Sequence, residues 1–346
     1  MDEIPSEADP AADPGNRIGT RPPRTRMWRH GRLEAEGFPV AEIGGYLREA
    51  DTVVWLDLCA ARRHELHAIA EELGLAPHAV EDAVGRHERA KLDRYSGHLF
   101  LNAYDVWLDT ASGRLSTAEV SAFVTERALV TVRQGPDFDV DELVSRWDDE
   151  ADLAEYGVAY LLHGLLDLLV DRHFAAAQAL DEQLEGLEDL LFEQPPGKGG
   201  AEVQRRNFQL HKSLVLLRRV VLPMREIVNT LLRRDLHIVP TAMAPYYQDV
   251  YDHVLRATEW TESLRDLVTT IQEARIAIQD NRLNEVMKKV TSWAAIIAVP
   301  TAVTGFYGQN VPFPGFGQPW GFVVSCLILV SAAIVLYVVF RRRDWL

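Results

Sequence analysis

The sequence predicts an α/β domain followed by a long helical stalk and two C-terminal transmembrane helices. Three observations carry this reading. Thr291 to Phe340 contains no Asp, Glu, Lys or Arg, although a quarter of the chain is charged. Tyr246 to Val299 contains neither Gly nor Pro. Upstream of residue 136, short runs rich in β-branched and aromatic residues alternate with helical stretches, the signature of a mixed α/β layer.

The elements follow in chain order. Residues 1–25 are dominated by Pro, Ala, Asp, Glu and Gly, and by composition form a disordered tail. Residues 26–136 form the α/β subdomain. Its strand-like runs are Thr52–Leu58, His98–Trp107, Glu119–Val124 and Ala128–Val132, the last two joined by a tight turn. Helical segments are expected from Ala61 to Leu73 and from Pro77 onward, the second carrying Glu81 and Asp82. Residues 137–245 are expected to be helical. Leu161, Leu165, Leu168, Leu180, Leu184, Leu187 and Leu191 mark one long helix from Tyr156 to Phe192, and a second runs from Ala201 to Leu232 past Pro223. Between them, Gln194–Gly200 breaks the pattern, so the two suit an antiparallel pair acting as a structural spacer.

Pro245 opens the third helix, with residues 246–290 as stalk. A span needs about 20 mostly apolar residues. Residues 291–308 supply the first, 309–319 a Pro- and Gly-rich outer loop, 320–340 the second span, and 341–346 a basic tail. Buried helices of a soluble bundle are the alternative, disfavoured by the length and evenness of the second apolar run. Lys288 and Lys289 precede the first span and Arg341, Arg342 and Arg343 follow the second, while the hairpin between is neutral. The positive-inside rule then puts both termini in the cytoplasm of a multi-pass protein of the cell inner (plasma) membrane. No apolar segment early in the chain suggests a cleaved signal.

Lys plus Arg is 36 and Asp plus Glu 51, a net charge of −15, which argues against nucleic acid as a partner. Two cysteines, Cys59 and Cys326, do not suggest a disulfide framework. There is no P-loop, nucleophile constellation or zinc-ligand spacing, so no enzyme activity and no organic cofactor are expected.

One face of the third helix stands out. Glu273, Asp280, Asn284, Thr291 and Ala298 fall close together at about 100° per residue. The face is acidic before the membrane and small or polar within it, and Thr301, Thr304 and Tyr307 add further polarity. A polar stripe inside a bilayer faces a bundle interior or water. The first span is therefore expected to line a pore and the second to face membrane lipid; simple packing of small residues is the competing reading. Two spans cannot enclose a path, so a pore requires self-assembly of identical subunits. At the end of the first span, Gly308 is expected to leave the helix with positive φ. The carbonyl ends and the Asn310 amide would attract a hard cation that keeps its water, as Mg²⁺ does.

Tyr307-Gly308-Gln309-Asn310, after a long helix and ahead of a second span with a basic terminus, resembles the Y-G-x-N signature of the CorA family of divalent-cation channels. Val80-Glu81-Asp82, His87-Glu88-Arg89-Ala90-Lys91, Asp249 to His253 and Asn284 to Lys288 resemble further family segments. The resemblance implies a homopentameric funnel passing Mg²⁺, with Co²⁺ or Ni²⁺ as further ions. It implies a selectivity filter of Tyr307, Gly308, Gln309 and Asn310. It places Glu273, Asn284, Met287 and Thr291 along the path, to which the helix face adds Asp280, Ala298 and Thr301, and Val290 is expected beside Met287 where the path would widen. It also implies regulatory Mg²⁺ bound by Glu81, Asp82 and Asp249 between subunits. Gln309 replaces the family's usual Met, and Val311 to Trp320 lacks the acidic residue of many relatives. Two alternatives stay open: a ZntB-like zinc transporter coupled to protons, and a non-conducting membrane-anchored metal sensor.

Overall fold

The computed structural model describes residues 22–85, 89–193, 200–233, 238–309, 312 and 314–346. The chain divides into two compact units, residues 1–268 and 269–346.

In the first unit, β1 (Arg24–Arg29) and β2 (Arg32–Glu36) form a hairpin, followed by α1 (Ile43–Arg48), β3 (Thr52–Cys59), α2 (Arg63–Leu73) and α3 (Pro77–Val84). Then come β4 (Lys91–Arg94), β5 (Leu99–Asp109), β6 (Arg114–Val124) and β7 (Ala128–Arg133). The seven strands make one sheet in the order β2-β1-β3-β7-β6-β5-β4. Every pairing is antiparallel except β3 with β7, where Val54 lies opposite Ala128.

Alternation along β3 builds a core on each face of the sheet. Val54, Leu56 and Leu58 join Phe100, Phe123 and Val130 under α2 and α3, which contribute Leu66, Ile69, Ala79, Val80 and Ala83. Trp55 points the other way. It packs edge-on against Trp147 of α4 (Val140–Asp149), with ring centroids 4.9 Å apart. Asp139 caps α4 by accepting from the amides of Asp141 and Glu142.

The strands expected from the sequence are present, each lengthened by one to five residues. β1, β2 and β4 were not expected, and the tail assigned to 1–25 ends sooner, because Arg24 and Thr25 already belong to β1. Ion pairs explain this. Arg24 pairs with Asp141, and Arg26 reaches Glu36 at 3.1 Å and Asp148 at 2.7 Å. Charged side chains that look like tail in one dimension are partnered across the fold.

On the Trp55 side, Asp57 and Arg133 form a fully buried pair at 2.5 Å, with the Thr131 hydroxyl donating to Asp57 and Arg133 donating to the Phe138 carbonyl. Removing one partner of such a pair strands a charge and costs about 3–5 kcal/mol, whereas an apolar replacement of both costs far less. Asp57→Asn is therefore expected to lower the urea midpoint strongly, followed by tryptophan fluorescence, and Asp57→Leu with Arg133→Met to recover much of it. An unchanged midpoint in Asp57→Asn would refute this.

Three long helices complete the chain before the hairpin: α5 (Val158–Glu193), α6 (Gly200–Leu231) and α7 (Ala244–Tyr307). α6 continues through Pro223, and α7 is a single helix of 64 residues containing Pro300. The first turns of α7 are held to α5: Tyr247 donates to the Ala159 carbonyl at 2.8 Å, and Trp260 packs on Phe174 while donating to Asp181. The second unit holds the end of α7 and α8 (Pro319–Arg342).

Two buried groups on and beside β5 titrate in opposite senses. Burial pushes the Asp105 carboxyl up to about 6, although Arg172 pairs with it. Burial holds the His173 imidazole down at about 4, against its hydrogen bond with the Tyr104 carbonyl. Between pH 4 and 6 the fold keeps a proton on Asp105 that the unfolded chain releases, which favours folding as pH falls. Below pH 6.5 the unfolded chain protonates His173 while the fold resists, which disfavours folding as pH falls. The two nearly cancel. Asp105→Asn removes the first and should make stability drop by roughly 2–3 kcal/mol between pH 6.5 and 4. Equal pH slopes for variant and parent in denaturant titrations would count against this.

Candidate ion pathway and metal sites

Two helices, one ending at Tyr307 and the other spanning Pro319–Arg342, are long and apolar enough to cross a membrane. Their apolar side chains are bare in the single chain: Ile297 is 64% exposed, Phe322 73% and Leu327 64%. Apolar surface on this scale needs lipid or another subunit to cover it. Cys326 is exposed on α8 and Cys59 buried in β3, and both are free thiols.

All eight residues expected along the path lie on α7 and are exposed. At about 100° per residue, Glu273, Asp280, Asn284, Met287, Thr291 and Ala298 share an arc of roughly 60°, and Thr301 and Val290 lie roughly 40–60° beyond one edge of it. Gly305 also falls on this arc. The arc is thus acidic at Glu273 and Asp280, carries an amide at Asn284, and has only hydroxyl or small groups from Thr291 on. The Thr301 hydroxyl donates to the Ile297 carbonyl and that of Thr304 to the Thr301 carbonyl, so both are satisfied without a partner helix while their oxygens can still accept.

The end of α7 differs from expectation at one residue. Gly308 does not adopt positive φ; among the described glycines near it, Gly315 and Gly317 do. Its amide instead continues the helical ladder to the Thr304 carbonyl at 2.9 Å, and the Gln309 amide closes a last turn on Phe306 at 3.3 Å. What favours glycine here is space, since a Cβ would lie 3.0 Å from the Thr304 carbonyl oxygen and the turn would have to give by a few tenths of an ångström. Positive φ is needed later, in the hairpin. Gly315 turns at φ +94 directly against Gly321, where a Cβ would meet the Gly315 carbonyl oxygen at 2.3 Å. Tyr307 sits on the side of α7 away from the polar arc, half-buried and edge-on to Phe306. Asn310 lies outside the described residues, as do His87 and Glu88.

The three regulatory candidates do not converge within one chain. Glu81 pairs with Arg63 at 3.1 Å, and Asp82 with Lys91 at 2.5 Å. Burial pulls the Lys91 ammonium down, but the hydrogen bonds of Asp82 and Asp93 outweigh it and raise its pKa above the ordinary lysine value. Asp249, near the start of α7, is 68% exposed, with His253 Nδ1 at 4.0 Å. Among the described residues one other group has metal-ligand proximity: Asp167 and Asp171 on α5 with His253 on α7, within 4.8 Å of one another. The sequence analysis missed this cluster because its members are up to 86 positions apart, 253 less 167. Its carboxylates already share a cation. Arg146 bonds both carboxylates, that of Asp171 at 2.8 Å, so an ion arriving there would compete with a guanidinium.

Comparison with known proteins agrees with this architecture. Residues 50–342 match the family model described as CorA-like Mg²⁺ transporter protein. The cobalt/magnesium transport protein CorA of Thermotoga maritima is 27% identical over 303 residues, covering 86% of this chain and 85% of that protein. The complete structure of the CorA magnesium transporter from Methanocaldococcus jannaschii superposes with a TM-score of 0.74 at 18% identity, over 94% of this chain and 98% of the other. That of the full-length CmaX protein gives 0.72 at 21% identity, over 95% and 99%. At these identities the two structures establish the fold: an α/β domain, a long helix and two C-terminal apolar helices.

Proposed function

The chain belongs to the CorA-like Mg²⁺ transporter family, and on that premise we propose that it is a homopentameric channel passing Mg²⁺, with Co²⁺ or Ni²⁺ as further cargo. The observation that carries this reading is the exposed arc of α7, acidic at Glu273 and Asp280 and free of charge from Thr291 onward. One subunit supplies one such strip, and a ring of five would close it into a path. Carboxylates would concentrate dications at the inner end. The narrow part would offer hydroxyls and small side chains to an ion that retains its water.

At the outer end, the helix C-termini point partial negative charge at the mouth. Gly308, Gln309 and Asn310 would form the selective ring there, with Tyr307 bracing it from behind. Lys288, Lys289 and Arg341 to Arg343 would anchor the cytoplasmic side, leaving both termini in the cytoplasm and α8 against lipid. Glu81, Asp82 and Asp249 would bind regulatory Mg²⁺ where two subunits meet.

The test is ion uptake by liposomes holding the purified protein, comparing Mg²⁺, Co²⁺, Ni²⁺ and Zn²⁺ with and without a proton gradient. Mg²⁺ uptake driven by its own gradient is expected. Zinc uptake that requires protons would overturn the reading in favour of a zinc symporter, and absence of any flux would favour a sensor.

A further inference from the structure

We propose that a basic groove between α6 and the start of β6 binds a phosphate-rich anion, namely the polyphosphate chain of a nucleoside triphosphate. The groove has a volume of about 790 Å³, within the usual range for small-molecule sites. Arg89, Arg114, Lys212, Arg218 and Arg219 line it and no carboxylate does. In a chain of net charge −15 this concentration of one sign is unexpected. Like charges gathered in a concave site raise its potential and disfavour the empty state.

Four of the five charges are also unspent. Among the described residues no carboxylate pairs with Arg89, Arg114, Lys212 or Arg219. Arg218 reaches Glu262 only at 3.7 Å, and its buried Nε donates to nothing.

The frame is rigid. The Ser213 hydroxyl on α6 donates to the Gly113 carbonyl at 2.7 Å and accepts from the Leu115 amide at 3.1 Å. These two bonds bracket Arg114 and hold the start of β6 on α6. Gly113 turns at φ +67, and a Cβ there would press on Leu210 at 3.2 Å, so the approach of strand to helix is close.

Two features select the ligand class. Four of the five cations are guanidinium groups, whose planar forks match phosphate oxygens in pairs. Val215 and Leu222, one heptad apart on α6, are 51% and 38% exposed along the same groove and offer a flat base an apolar bed.

The test is calorimetric titration of the full-length protein in neutral detergent with EDTA, so that ion-site occupancy does not contribute. ATP and tripolyphosphate are expected to bind, AMP at least about tenfold more weakly, and adenosine not at all. Arg114→Glu with Arg219→Glu should weaken ATP at least about tenfold, while Arg219→Lys, which keeps the charge but loses the planar fork, should fall between the parent and the double variant. If the charge-reversed protein loses its parent thermal midpoint, Arg114→Gln with Arg219→Gln replaces it. No response to either polyphosphate, or equal affinity in the double variant, would overturn the proposal. So would saturable binding of a short-chain phosphatidylglycerol without tripolyphosphate binding, which would assign the groove to a lipid headgroup. Binding of an acidic peptide in preference to ATP would assign it to a protein partner.

Discussion

Asn310→Ala is expected to abolish selective Mg²⁺ uptake in proteoliposomes, a loss of at least about 100-fold, while leaving assembly intact. An interaction with a charged partner contributes about 1.5–3 kcal/mol, and in a closed ring every subunit loses one at once. The argument begins at the helix end. α7 keeps its ladder through Gly308, whose amide bonds the Thr304 carbonyl at 2.9 Å, and turns off at Gln309. In sequence, Gln309 and Asn310 follow directly with amide oxygens, and Asn310 is the position fixed in the Y-G-x-N signature. Gly308→Ala gives a graded comparison: its Cβ would sit 3.0 Å from the Thr304 carbonyl, so the last turn must shift while the amide remains. Its flux should fall less than that of Asn310→Ala. Parental Mg²⁺ flux and ion preference in Asn310→Ala, with native mass spectrometry showing the parental assembly, would remove the proposed ring.

Much of this architecture could be read in one dimension, and the residues show why. α7 was legible end to end because nothing between Tyr246 and Val299 can break a helix, and Pro300 lies in an apolar stretch that carries the helix on. β3, β5, β6 and β7 were legible because burial on both faces leaves apolar runs such as Val53 to Leu56. β1, β2 and β4 were not, since Arg24, Arg26 and Lys91 disguise them and their partners Asp141, Glu36, Asp148 and Asp82 are set by the fold. Gly308 was misjudged for a related reason. Positive φ and lack of room for a Cβ both select glycine, and only the position of the Thr304 carbonyl tells them apart. The Arg146 cluster and the basic groove were invisible because each draws residues from three or more elements, none remarkable in its own segment.

Neutralising the carboxylates proposed to bind regulatory Mg²⁺ should remove inhibition by cytoplasmic Mg²⁺. With Asp82→Asn and Asp249→Asn together, the inhibitory concentration is expected to rise at least about tenfold, because a dication held by few ligands loses most of its attraction when two charges go. The pairs within one chain sharpen this expectation. Asp82 is held by Lys91 at 2.5 Å and Glu81 by Arg63 at 3.1 Å, so an arriving Mg²⁺ must compete with two cations. Lys91→Met should therefore act in the opposite direction and make inhibition set in at lower Mg²⁺. Asp249 stands near the start of the helix that also carries Met287, Val290 and Thr291. Metal that joins Asp249 of one subunit to Glu81 and Asp82 of another would restrain that helix. Repulsion among the bare carboxylates would release it and widen the path. A site shifts the gate only if it binds the closed state better. The flux of both variants should consequently match the parent when the inner face is free of Mg²⁺ and separate from it as Mg²⁺ is added. If the double variant and Lys91→Met both retain the parental inhibition curve, the site lies elsewhere, and the pathway along α7 is untouched by that result.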